Sequence, residues 1–148
     1  MVWNPFFLKD ITAIEKVQRR FTKRLRGMSK LTDHQRLVKV GFESLHVEIR
    51  RIRADLVLAY KIIFGLTDIN TEDIFTVCTN KSRRGHCYKL YMPYSKSTAR
   101  YTYFNHRVGR IWNALPCDKV DFSFSSLRRF RNSLTAKVLV RYCSLNFI

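Results

Sequence analysis

The stretch LHVEIRRIRADLVLAYKIIF, residues 45–64, decides the fold class. Leu45, Ile49, Ile52, Leu56, Tyr60 and Ile63 recur at intervals of three and four, which lines them up on one stripe of an α-helix. Arg50, Arg51 and Arg53 lie off that stripe. Beyond Leu56 the segment is apolar nearly all round, through Val57, Leu58, Ile62 and Phe64. Such a helix packs on several sides, so the centre of the core is expected here. Gly65 supplies the stop.

Upstream, residues 33–39 read as a short helix that ends at Gly41. Thr32 is its N-cap, and Gln35 three positions on completes a capping-box pattern. Residues 8–26 form another helix with two faces. Ile11, Ile14, Val17, Phe21 and Leu25 make the stripe expected to meet the core, while Lys16, Arg19, Arg20 and Lys23 gather opposite. Asp10 near the start and Lys23, Arg24 and Arg26 near the end suit the helix dipole, and Gly27 closes it.

Downstream, residues 66–84 read as a connector with an acidic turn around Glu72 and Asp73 and a basic turn at 81–85. Residues 86–92 alternate, with Tyr88, Leu90 and Met92 on one side, and Pro93 ends this extended piece. A helix over 100–114 carries Phe104, Val108, Ile111 and Leu115, with Trp112 beside them, and stops at Pro116. The last helix, 125–140, carries Leu127, Phe130, Leu134 and Val138. The expected fold is therefore all-α or mainly α, a small bundle of about five helices with a short extended segment near 86–92. It forms one domain over 1–148: a helical part to residue 65, a connector over 66–99 and C-terminal helices over 100–148.

Charge is the outlier. Among 148 residues, 28 Lys and Arg face 11 Asp and Glu, a net +17. Residues 81–148 hold 14 basic side chains against only Asp118 and Asp121. Such an excess says nothing about fold but favours a polyanionic partner. No apolar run approaches the ~18 residues of a membrane span, so no membrane partner is expected. The first residues lack the charged start, apolar stretch and cleavage site of a secretory signal. The four scattered cysteines fit reduced thiols, and a nuclear or cytoplasmic location follows.

Chemistry is sparse. The aspartates sit in separate elements, and the neighbouring Glu72 and Asp73 read as a solvated helix start rather than a two-metal carboxylate site. Cys78, Cys87, Cys117 and Cys143 lack the paired spacing of zinc ligands. No serine or cysteine has a nucleophile context, and the glycines are isolated. No catalytic residue, metal or cofactor is expected. What remains is a basic and aromatic interleaving over 83–110, where Arg and Lys alternate with Tyr88, Tyr91, Tyr94, Tyr101, Tyr103 and Phe104. Cations there neutralise phosphates and exposed tyrosines stack on unpaired bases; Phe104 reads as core, and the tyrosines are left open between core and contact.

Several pieces together resemble the region that follows the polymerase core in LINE-type, non-LTR retrotransposon reverse transcriptases. They run in order: Val2 to Pro5, Leu8 to Ile11 and Ile14 to Arg20; Arg36-Leu37 and Gly41 to Leu45; Arg50-Arg51, Asp55-Leu56 and Tyr60 to Ile62; Arg84-Gly85-His86; Phe104, Arg107-Val108 and Trp112 to Pro116; and Phe124 to Leu134. The resemblance implies a truncated C-terminal fragment, started at an internal methionine, whose parent is an RNA-directed DNA polymerase. The catalytic aspartates of such an enzyme lie upstream, so the fragment is expected to be non-catalytic by itself. It is expected to bind RNA or DNA and to contact the missing polymerase domains. The contact residues expected are Lys16, Arg19, Arg20, Lys23, Arg83, Arg84, Arg107, Arg110, Arg128, Arg129 and Arg131. Alternatives are a host-recruited helical DNA-binding or protein-interaction module, or a non-functional relic.

Overall fold

A computed structural model describes residues 8–40, 47–78, 85–123 and 126–143. Among these the regular structure is helical: α1 (Leu8–Arg24), α2 (Asp33–Lys39), α3 (Val47–Ile63), α4 (Thr71–Ile74), α5 (Thr98–Thr102), α6 (Phe104–Ala114), α7 (Leu127–Ser133) and α8 (Ala136–Cys143). The mainly helical class is as the periodicity predicts. Two compact units divide the chain, one of Met1–Arg51 with Thr135–Ile148, the other of Ile52–Leu134. The boundary falls inside α3 and just before α8.

In the first unit the expected capping box is present. Thr32 Oγ1 accepts from the Gln35 N–H at 3.3 Å, and Gln35 Oε1 accepts from the Thr32 N–H at 3.0 Å. The inward face of α1, however, differs from the expectation. Val17 and Phe21 are 65% and 63% exposed, whereas Glu15 and Thr22 are buried. The cause is a polar latch. Arg36 of α2 is itself buried and needs acceptors. Its Nε donates to Thr22 Oγ1 at 3.3 Å, one terminal nitrogen to the Leu31 carbonyl and the other to Asp33 at 3.1 Å. Arg50 of α3 also donates to the Gln18 side chain. Satisfying these groups turns Ile11, Glu15, Gln18 and Thr22 inward and leaves Val17 and Phe21 outside. Met28, Leu37, Ile49, Val138, Leu139 and Tyr142 supply this unit's apolar burial.

The second unit is built around Leu56, Ala59 and Tyr60 of α3, as the all-round apolarity of that helix predicts; all three are fully buried. Tyr60 stacks on Phe130 at 4.5 Å, and its hydroxyl donates to the Ser123 carbonyl at 2.6 Å. Gly65, at φ +65°, ends α3 in a Schellman motif: its N–H bonds the Ile62 carbonyl and the Leu66 N–H bonds that of Lys61.

Two expected helices are each split in two. Tyr103, at ψ 153°, separates α5 from α6, and Leu134, at ψ 66°, separates α7 from α8. At the second break the Ser133 hydroxyl donates to the Phe130 carbonyl and accepts from the Asp121 N–H. That local bond competes with continued helix. Glu72 and Asp73 sit exposed in the first turn of α4, as expected.

The segment expected to be extended is so. Leu90 pairs antiparallel with Val77, and its side chain is buried while Cys87 and Tyr91 face out. Two α6 residues clamp it. The Asn113 amide both accepts from the Leu90 N–H and donates to the Leu90 carbonyl, each at 2.8 Å, and Trp112 Nε1 donates to the Tyr88 carbonyl at 2.7 Å. Gly109 adds room, because a Cβ there would lie 2.4 Å from Met92 Sδ.

Candidate nucleic-acid interface

On α1, Lys16, Arg20 and Lys23 are exposed, together with Arg24 and, beyond the helix, Arg26. None of these five has an ion pair among the described residues. Two carboxylates of this unit are withdrawn from them: Glu15 is buried, and Asp33 takes both Arg36 and Arg19. Arg19 is exposed, yet its Nε donates to Asp33 at 3.1 Å. Of the four cations expected here, three are open and one is partly occupied.

In the second unit the expected residues separate. Arg107 is not a surface group. It is buried, its terminal nitrogens bonding Asp55 at 2.8 Å and the Thr102 carbonyl at 3.2 Å. Its position on α6, one step before Val108, puts it at the edge of the apolar stripe, and Asp55 of α3 pulls it inward. Arg110 is also withdrawn. Its guanidinium lies 3.6 Å from the Tyr101 ring centroid and donates to the Tyr101 hydroxyl, and burial lowers its pKa.

Arg128, Arg129 and Arg131 of α7 are exposed. Cations in the first turn of a helix oppose its dipole, so helix stability does not explain Arg128 and Arg129. Ser123, whose N–H donates to Asp121 at 2.8 Å, lowers that carboxyl's pKa most, and Arg129 is near enough to help. Arg83 and Arg84 lie outside the described residues.

The tyrosines, undivided by sequence, are divided by the structure. Tyr88 packs edge-on to Phe64 and Tyr101 lies under Arg110. Tyr91, Tyr94 and Tyr103 are 60%, 83% and 67% exposed. Lys96 and Arg100 are exposed in the same stretch. These two cations are missing from the expected contacts, although Pro93 and the polar run after it already signalled a surface loop.

An open cleft of about 550 Å³ in this unit is lined by His86, Cys87, Cys117, Lys119 and Asp121 among others. His86 Nε2 lies 2.8 Å from the Trp112 carbonyl oxygen, which can only accept, so Nε2 carries the proton. The ring is stacked on Phe122 at 4.0 Å, and burial lowers its pKa against the opposing effect of the bond to Trp112. Its role is to join the extended segment to α6. Among the described residues no group of three or more His, Cys, Asp or Glu could hold a metal ion, and no helix is long and apolar enough to cross a membrane.

Fold and composition define a mainly helical, strongly cationic chain. No family model matches this chain, and comparison with curated proteins and solved structures gives no match.

Proposed function

We propose that the chain is a nucleic-acid-binding accessory region, a fragment of the C-terminal part of a LINE-type reverse transcriptase, non-catalytic by itself, that grips RNA or DNA phosphates. The observation that carries the binding is the open cationic face of α1. Lys16, Arg20 and Lys23 stand exposed without an ion pair among the described residues, while Glu15 and Asp33 are occupied elsewhere. The ancestry rests on the ordered motifs, among them Trp112 to Pro116.

Each phosphate neutralised releases about 0.7–0.9 counterion, so affinity falls with salt in proportion to the contacts made. Changing Lys16, Arg20 and Lys23 together to Gln should flatten the slope of log affinity against log salt for RNA by roughly 2–3. Fluorescence anisotropy across a salt series measures it. An unchanged slope refutes the gripping role of α1.

A second reading is favoured by Val17 and Phe21, whose exposure on α1 suits docking on the polymerase domains of a parent protein. Phe21→Ser would then weaken association with such a domain supplied in trans and leave the RNA salt slope alone.

A further inference from the structure

The second unit carries a surface that counter-charge alone does not explain. Between positions 91 and 103, Tyr91, Tyr94 and Tyr103 hold their rings in solvent. None of the three side chains has a hydrogen bond, ring contact or cation over it among the described residues. The same stretch covers its other aromatics: Tyr88 on Phe64, Tyr101 beneath Arg110, Phe104 beside Phe75. The fold thus buries or shields aromatic rings here and leaves three out.

Charge identifies the kind of partner. From Ile74 through Cys117 the sequence holds no Asp or Glu, while Lys96 and Arg100 are exposed among the free tyrosines. A typical protein face offers both signs of charge and would find no cationic complement to its own lysines here. A polyanion with flat apolar faces matches both features. Nucleic acid is that polyanion, but in a duplex the base faces are already stacked on one another and closed to a tyrosine ring. Only unpaired bases present them.

We propose that residues 91–103 form a stacking platform for a single-stranded nucleic acid, bases lying on Tyr91, Tyr94 and Tyr103 and phosphates meeting Lys96 and Arg100. This rests on the nucleic-acid reading above and adds the strandedness of the partner. Stacking on a ring does not depend on base identity, so little sequence preference is expected.

The test compares the full chain with a Tyr91→Ser/Tyr94→Ser/Tyr103→Ser variant and with the matching Tyr→Phe variant. Probes are a short labelled oligo(U), an oligo(dT) of the same length and a blunt duplex, each across the same salt series. Because the three rings are exposed, both variants should melt with the parent. The Ser variant should lose at least about 100-fold affinity for the single strands, from stacking on three bases at ~1 kcal/mol or more each. It should keep its duplex affinity and its salt slope, and the Phe variant should keep all three. Oligo(U) against oligo(dT) reports whether RNA or DNA is preferred. Equal losses on duplex and single strand, or no loss on the single strands, overturn the platform. A Ser variant that changes the oligomeric state of the chain overturns it too, in favour of a protein contact. If single-strand binding survives the Ser variant while the α1 variant flattens the slope, the platform fails and the grip stands. If the unaltered chain binds none of the probes, the reading beneath it fails.

Discussion

Replacing Arg107 by Met tests whether this arginine belongs to the interior rather than to a ligand surface. The change keeps most of the apolar stem and deletes the charge that faces Asp55 at 2.8 Å. Both partners are nearly out of water, their side chains 9% and 13% exposed. At a charge separation near 4 Å and an effective dielectric of about 20, the lost attraction is about 4 kcal/mol. Removing one member of a buried pair costs about 3–5 kcal/mol, because the buried survivor loses that counter-charge. The bond from Arg107 to the Thr102 carbonyl goes as well, freeing the residue before the α5–α6 break. Against a total stability of about 5–15 kcal/mol this is a large fraction.

The assay is urea or thermal unfolding followed by circular dichroism, with Arg107→Met, Asp55→Leu and the double variant in one cycle. The melting temperature of each single variant should fall by roughly 6–20 °C. The double variant should recover most of that loss, since two apolar side chains replace a pair whose desolvation offset its attraction. If Arg107→Met melted with the parent and flattened the RNA salt slope instead, the inward pairing would be wrong and Arg107 would rejoin the ligand surface.

Further outcomes follow from other particular contacts. Gly65→Ala should cost about 1–2 kcal/mol in unfolding, all of it backbone strain, because φ is +65° and a Cβ there meets nothing within 4 Å; Gly65→Asn should cost less. Iodoacetamide should label the exposed Cys87 and Cys117 readily, whereas Cys143, its thiol pushed up to about 11 by burial and then by Glu48, should react about a hundredfold more slowly until the chain unfolds. His86, its pKa lowered by burial, is held neutral in the folded state, and the unfolded chain takes up the proton first as pH falls. Its stability contribution is therefore whole above the ordinary histidine value and is lost below it. Melting temperature should drop from about pH 7.5 to about pH 5.5, and less steeply in His86→Gln.

Much of the helical framework was legible. The stripe from Ile52 to Tyr60 is where the second unit is built, the Thr32–Gln35 box is made, and Gly65 stops α3. These features depend on near neighbours, so spacing reveals them. The breaks at Tyr103 and Leu134 were not legible, since each region reads as one amphipathic helix, and at the second a group outside the helix takes part. Ser133 is tied there to Asp121.

The candidate site was legible only in its chemistry. Composition alone decides that cations greatly outnumber carboxylates, and periodicity alone decides the angle at which each lies around its helix. Which angle faces inward is a property of what packs against it. A buried Arg36 turned α1 so that Thr22 went in and Phe21 came out, and Asp55 drew Arg107 beneath the surface. Three tyrosines were left in solvent where their neighbours found cover. A chain determines its own charges and turns through local bonds, but pairing across helices is what sorts an arginine that holds the protein together from one free to meet a partner.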